Sequence, residues 1–375
     1  MGGGARKDGS PYEPSVIALK DGRLMLVYGR RHGPTGARNL EEKYTTISSD
    51  HGKTWSAPEP LVQANGDPVR GGRALTLLRL KSGAIGCLTS DVFHRSEDEG
   101  ETWSSGVTVG TVGDEKLLVR NDSAVVLSSG RIVAPAVRYG FEPRRAEEGL
   151  VFLSDDEGRS WREGPTLFLD AEKTKTEIPY GWDEWSVVEL QSGDLLGFVR
   201  TTFGQLFQTT STDQGATWSK PTPTGLAADQ APCLLRRIPE SGHLLVIWTQ
   251  ASVEERERYL TRHRLSCAIS RDEGKTWEKF KNLESLDDVS RVEPPTDIRV
   301  IRANPEKYPE AKEGYHQPRD RKRYHKAPGA LRCAYPTCTF VDDQAVITYG
   351  YGSRHGPIGY VACKIRVLPQ AWFSE

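Results

Sequence analysis

The stretch SRDEGKTW, Ser270 to Trp277, decides how this chain is read, because its pattern Ser-x-Asp-x-Gly-x-(Thr/Ser)-Trp recurs four more times. The other copies are SSDHGKTW ending at Trp55, SEDEGETW at Trp103, SDDEGRSW at Trp161 and STDQGATW at Trp218. Successive tryptophans stand 48, 58, 57 and 59 residues apart. Self-similarity at that period signals a repeat architecture. Within each box the Asp and Ser side chains can bond the backbone of a tight turn, and the Gly can take a conformation that other residues avoid. The Trp ring then pins the turn to apolar surface. Five copies cannot share one active site, so the box reads as a structural staple.

Between the boxes lies a second repeat, in which a short apolar run, a turn and another apolar run follow one another. Examples are EPSVIALKDGRLMLVYGRR, EWSVVELQSGDLLGFVRTT and PCLLRRIPESGHLLVIWTQ, among six in all. Such pairs of β-rich segments around Gly, Asp and Ser are hairpin signals. In five units a third strand leads into the box and a fourth follows its Trp. Six units of about four antiparallel strands predict an all-β, six-bladed β-propeller. The sixth unit has a third strand, GYVACKIRVL, and no box, and since only about ten residues precede the first blade, the strand closing the ring comes from the C-terminal segment or is missing. The expected organisation is a single domain over residues 1–375, interrupted at about 282–332 by a charged, Pro-rich insertion. A loop of that length is a solvated flap, an active-site lid or a partner surface.

Composition narrows the function classes. Charged residues are 27% of the chain and the formal net charge is −1, which gives no case for bulk binding to nucleic acid or an anionic membrane. No apolar run approaches the length of a membrane span. The N-terminal MGGGARKDGS lacks the apolar core of a signal peptide, so the expectation is a cytoplasmic protein, or a secreted or periplasmic one whose leader has been removed. Six scattered cysteines with no CxxC pair read as reduced and mostly buried, not as a zinc site or a disulfide framework.

Strand counting places the chemistry. With strands lettered A to D from the channel outward, the boxes occupy C–D turns at one face. The starts of A, the ends of B and the B–C loops then build the opposite face. That face collects Glu13, Arg30, Glu41, Glu42, Asn121, Arg138, Asp183, Glu184, Arg200, Asp229, Gln230, Gln250, Arg262, Tyr335 and Arg354. Arginines, carboxylates and aromatics together suit an anionic or polyhydroxyl ligand, since Arg holds carboxylates through paired hydrogen bonds.

Boxes on a six-bladed ring resemble the sialidase (neuraminidase) superfamily, the one with bacterial-neuraminidase-type repeats, and the resemblance covers nearly the whole chain. It implies a retaining exo-glycosidase acting on a terminal, anionic sugar of a glycan, with no metal or cofactor. In that family an arginine triad holds the sugar carboxylate, a Tyr paired with a Glu is the nucleophile and an Asp is the acid/base. DEWSVVEL matches the Glu with Glu184, LLGFVRTT the second Arg with Arg200, RHRLSCAISRDEG the third Arg with Arg262, and CAYPTCTF the Tyr with Tyr335. Two places depart from the pattern. Tyr12 or Glu13 stands where the first Arg belongs, and the blade-one B–C loop has no Asp, leaving Glu41 or Glu42 as the general acid. The alternatives are an exo-glycosidase for a non-sialic sugar and a non-catalytic glycan-binding or interaction propeller.

Overall fold

Short runs rich in β-branched, aromatic and Leu side chains, such as Trp185–Glu189 and Leu195–Val199, are too brief for helices and bury both of their faces. Repeated round an axis, they make a six-bladed propeller of antiparallel sheets. The computed structural model describes residues 14–30, 41–72, 74–110, 116–119, 122–139, 148–169, 182–309, 331–353 and 362–375.

Blade four shows the common plan, with A at Trp185–Glu189, B at Leu195–Val199, C at Gln205–Ser211 and D at Thr222–Ala227, paired in that order. Blades one, two, three and five repeat it. In blade one a further strand, Arg70–Gly71, joins strand C (Glu41–Ser48), and in blade three Lys116–Val119 joins strand B (Ile132–Tyr139). Blade six has three strands among the described residues, Leu331–Val341, Gln344–Ser353 and Ala362–Pro369. The chain ends in a 3₁₀ turn, Gln370–Phe373, whose Phe373 is buried in the core between blades five and six. Gln370 locks it there: its Nε2 donates to the Asp342 carbonyl at 2.7 Å, and its Oε1 accepts from the Glu240 amide at 3.1 Å.

The core lies between the blades. Val133, Val151, Trp185 and Val187 pack at the seam of blades three and four, and Leu196, Phe198, Leu235 and Trp248 at that of four and five. Val16, Leu26 and Tyr28 meet Val341 and Val346 and close the ring between blades one and six. Each such side chain, fully buried, contributes about 1.5–3 kcal/mol. An ion pair ties blade five to the start of blade three. Arg236 Nη2 donates to Asp122 Oδ2 at 2.6 Å and its Nε to the Cys338 carbonyl at 3.3 Å, while Ser15 Oγ donates to Asp122 Oδ1 at 2.8 Å. Burial pushes the Asp122 carboxyl up, against the pull of Arg236.

All five boxes share one geometry at their C–D turns. In the blade-five box Ser270 Oγ donates to Asp272 Oδ1 and accepts from the Gly274 amide, both at 2.8 Å, and Asp272 accepts from the Thr276 amide and hydroxyl at 2.8 and 2.6 Å. The glycine and the residue before it are both left-handed, as in Glu273 (φ 60°) and Gly274 (φ 86°). That residue reaches the A–B turn of the preceding blade. Glu99 accepts from the Lys20 amide (3.0 Å), Glu157 from the Ser82 amide (2.6 Å) and Glu273 from the Gln191 amide (2.8 Å), and Gln214 accepts from the Ser129 hydroxyl (3.0 Å). At the closing seam, His51 Nδ1 lies 3.7 Å from Asp342 Oδ2 in blade six. The boxes are therefore latches between blades as well as staples within them.

All six cysteines are free and five are buried, with Cys87, Cys233, Cys267 and Cys338 thiols pushed up to about 12 by burial. Among the described residues no helix is long and apolar enough to cross a membrane.

Candidate active site

On the face away from the boxes, the ends of strands A and B in blade four extend their ladder. The Arg200 amide donates to the Glu184 carbonyl at 3.0 Å, and the Asp183 amide to the Arg200 carbonyl at 3.1 Å. This pairing sets three charged side chains side by side. Arg200 Nε lies 3.1 Å from Asp183 Oδ2, its Nη1 makes a close ion pair with Glu184 Oε2, and all three residues are almost fully buried. Asp183 Oδ1 also accepts the Glu184 amide at 2.8 Å, which fixes the carboxylate that orients the guanidinium.

Blade five repeats the arrangement with a different pairing. Asp229 Oδ1 accepts the Gln230 amide at 2.7 Å and Oδ2 accepts the Arg262 amide at 2.6 Å. Arg262 Nη2 returns to the Gln230 carbonyl at 3.0 Å, closing a cycle of bonds around one turn. The Arg262 guanidinium then lies 5.3 Å from the centre of the Tyr335 ring. Tyr335 is 7% exposed and packs on Ala231 and Ala334. Arg262 and Tyr335 both have φ of 60°, a region costing bulky residues about 1–3 kcal/mol that persists only where the surroundings enforce it. The enforcing bonds are the Asp229 carboxylate on the Arg262 amide and the Cys333 amide on the Arg262 carbonyl, at 2.6 Å each.

The insertion is partly built into this face. Gln250, fully buried, donates to the Ser290 carbonyl at 2.8 Å and accepts from the Val292 amide at 3.0 Å. The Ile301 amide donates to the Thr202 carbonyl at 3.0 Å, two residues beyond Arg200, and the Ile301 carbonyl accepts from Arg256 Nη2 at 3.0 Å. Arg256 comes from a short helix, Val253–Glu257, in the blade-five B–C loop, and its Nε lies 3.9 Å from Asp229 Oδ1. Residues 290–301 thus form a strap pinned on both sides of the cluster. Residues 310–330 of the insertion lie outside the described residues.

The other expected site residues fall elsewhere or outside the description. Glu42 pairs with Arg70 at 3.0 Å on strand C of blade one. Glu41 and Arg30 are in strands, Glu41 opposite Gly71 and Arg30 opposite Glu42, with side chains outside the described residues. Arg138 turns outward along its own blade, with Nη1 2.8 Å from Glu148 and Nη2 3.2 Å from Glu163. Glu13, Asn121 and Arg354, like Tyr12, lie outside the described residues. Strand counting puts Asp183 and Asp229 on this face, and the structure adds that they hold Arg200 and the Arg262 amide. The available signal was the internal repeat, which sets Asp183-Glu184 in blade four against Asp229-Gln230 in blade five.

Among the described residues one group, Glu255, His263 and Asp287, has metal-ligand spacing. Arg264 already fills that role: its Nη2 donates to Glu255 Oε1 at 3.0 Å and to Asp287 Oδ2 at 2.6 Å, so the group is an ion-pair network. A cavity of about 480 Å³ opens at the outer edge of blades two and three, lined by Phe93, Arg95, Trp103 and Gly158. It borders boxes and holds none of the clustered site residues.

Comparison with known proteins agrees with this architecture. No curated protein sequence matches the chain. Among solved structures, a Dyadobacter fermentans protein of unknown function superposes with a TM-score of 0.63 at 19% identity, covering 97% of this chain and 95% of the other. The intramolecular trans-sialidase from Ruminococcus gnavus gives 0.61 at 15% identity, over 97% and 95%. The NanB sialidase from Streptococcus pneumoniae gives 0.60 at 13% identity, over 97% of this chain and 69% of that one. At such identities the likeness shows the fold, a sialidase-type six-bladed propeller. A family model described as a BNR repeat-like domain matches residues 72–347, and the chain belongs to that family.

Proposed function

We propose that the chain is an exo-acting, retaining glycoside hydrolase of sialidase type that releases a terminal sugar from a glycan. The observation that carries the reading is Tyr335. It is a buried tyrosine held in a left-handed backbone, with the Arg262 guanidinium across its ring, on the face that also holds Glu184 and Arg200. Strain of this kind concentrates at functional sites. In the proposed reaction Tyr335 Oη attacks the anomeric carbon while Glu184 takes its proton. The bond to the leaving oxygen breaks, and Glu41, whose neighbour Glu42 is taken up by Arg70, protonates that oxygen. The same carboxylate then draws a proton from water, which displaces the tyrosine while Glu184 returns its proton to the tyrosine oxygen, restoring the enzyme with net retention. A neutral nucleophile assisted by a base requires the two groups to act as a pair, and each is expected to be worth 10²–10⁴-fold, roughly the range of positioned acid–base catalysis.

A panel of aryl glycosides that includes an α-sialoside tests this. Tyr335→Phe and Glu184→Gln should each lower turnover of the cleaved member by at least about 10²-fold. Unchanged turnover in both variants would sink the mechanism, and a chain that binds glycans but cleaves no member would favour a glycan-binding propeller.

A further inference from the structure

We infer that the site recognises an uncharged sugar, because its buried arginines are matched by the protein's own buried carboxylates and two neutral polar atoms beside them are unbonded. The inference rests on reading the Arg200–Arg262–Tyr335 cluster as the sugar site. Arg200 is held by Asp183 and Glu184 together, and Arg256 and the Arg262 amide converge on Asp229. The Arg262 guanidinium itself lies on the Gln230 carbonyl and the Tyr335 ring, and among the described residues of the cluster three arginines (Arg200, Arg256, Arg262) are balanced in charge by three carboxylates (Asp183, Glu184, Asp229). An incoming carboxylate could bond Arg200 Nε or Nη1 only by displacing Asp183 or Glu184. Either would be left as a buried, unpaired anion, which is the costly way to break a buried pair.

An independent observation points to the ligand that fits instead. Gln230 Nε2 and Thr202 Oγ1 are buried polar atoms with no hydrogen-bond partner among the described residues, and each residue is only 5% exposed. Gln230 is the residue whose carbonyl holds Arg262, and Thr202 lies two positions beyond Arg200. A buried amide donor and a buried hydroxyl left unpaired are unfavourable until something bonds them. Sugar hydroxyls, which donate and accept without charge, satisfy both. The expected substrate is accordingly a neutral hexose or deoxyhexose unit, and neither a sialic nor a uronic acid.

The test is calorimetric titration with oseltamivir carboxylate and with its ethyl ester, two probes that differ in the carboxylate alone. The wild-type protein should show less than about tenfold preference for the carboxylate, whereas Asp183→Asn, which frees one contact of Arg200, should gain at least about tenfold preference for it. Glu184→Gln should shift the same way and serves if Asp183→Asn fails to melt cooperatively. A wild-type preference for the carboxylate of tenfold or more, or folded variants without the gain, overturns the inference. Because the readout is binding, it is separate from turnover. A protein that behaves as expected here but cleaves no glycoside refutes the hydrolase reading alone, and one that cleaves the α-sialoside in preference to neutral glycosides refutes the charge inference alone.

Discussion

Glu273 offers a sharp test of how the boxes hold the ring together. Its carboxylate receives Arg237 through two bonds, Nη1 at 2.9 Å and Nη2 at 2.8 Å, and the Gln191 amide of blade four at 2.8 Å. The Arg237 bonds are the main cause that lowers its carboxyl below the usual range. A charge-assisted hydrogen bond is worth about 1.5–3 kcal/mol when shielded and less near water. Both side chains are 26% exposed, so Glu273→Ala should cost about 2 kcal/mol after that discount. For a chain of this size that lowers the melting temperature by roughly 2–3 °C. Glu273 also sits at φ 60°, where Ala is as strained as Glu and Gly is not. Glu273→Gly loses the same contacts yet recovers about 1 kcal/mol of left-handed strain, so it should be the milder variant. Thermal unfolding of both, read by Trp fluorescence, decides the matter. If Gly is as destabilising as Ala, or if neither departs from wild type, the latch account fails. Turnover should be unchanged in either variant, because the latch is on the face opposite the site.

The pair of Asp122 and Arg236 makes a second prediction. Asp122→Ala leaves Arg236 without its carboxylate and should cost about 3–5 kcal/mol, while the double variant with Arg236→Leu should recover much of that, as urea denaturation would record. Acid stability follows from the lowered carboxyls. Bonds from Thr54 and Thr276 hold Asp50 and Asp272 down to about 2, and Arg79 holds Glu99 down to about 2. Depressed carboxyls lend stability above their unfolded values near 4 and lose it as pH falls through their folded ones, so the melting temperature should hold from pH 7 to 5 and drop between about 4 and 2. A decline that begins at pH 6 would contradict this assignment. Gln250→Ala removes the two bonds that seat the strap at Ser290 and Val292 and should speed proteolytic cleavage within residues 285–309 several-fold without lowering the overall melting temperature by more than a few degrees.

The fold was legible because its ruler is local. Ser, Asp, Gly, Thr and Trp within eight residues specify one turn, and the turn recurs at every C–D junction except that of blade six. From that frame strand counting puts Glu184, Arg200 and Arg262 beside strand ends, whereas Tyr335 stands inside the strand Leu331–Val341, where its pairing shifts register. The latches were not legible. Their residue varies (His51, Glu99, Glu157, Gln214, Glu273), and for boxes two to five its partner is an A–B turn 75 to 85 residues earlier in chain order, as Ser129 is to Gln214. The pairing within the site was hidden for a related reason. Residue types show that Arg200 and Glu184 can share a face, but only the extended ladder between strands A and B shows that they bond each other and that Asp183 joins them. Nor does a Pro-rich, charged insertion reveal that Gln250 and Thr202, far away in sequence, will seat it as a strap.

The most direct test of the central claim is a covalent trap at Tyr335. A fluorinated glycosyl fluoride of the sugar that is turned over should transfer its glycosyl group to the tyrosine oxygen as fluoride leaves, and the fluorine beside the anomeric carbon should slow the release of the adduct. Peptide mass spectrometry is expected to find the added glycosyl mass on the peptide containing Tyr335 and to find none in Tyr335→Phe. An adduct on another residue, or full turnover by Tyr335→Phe, would contradict the account.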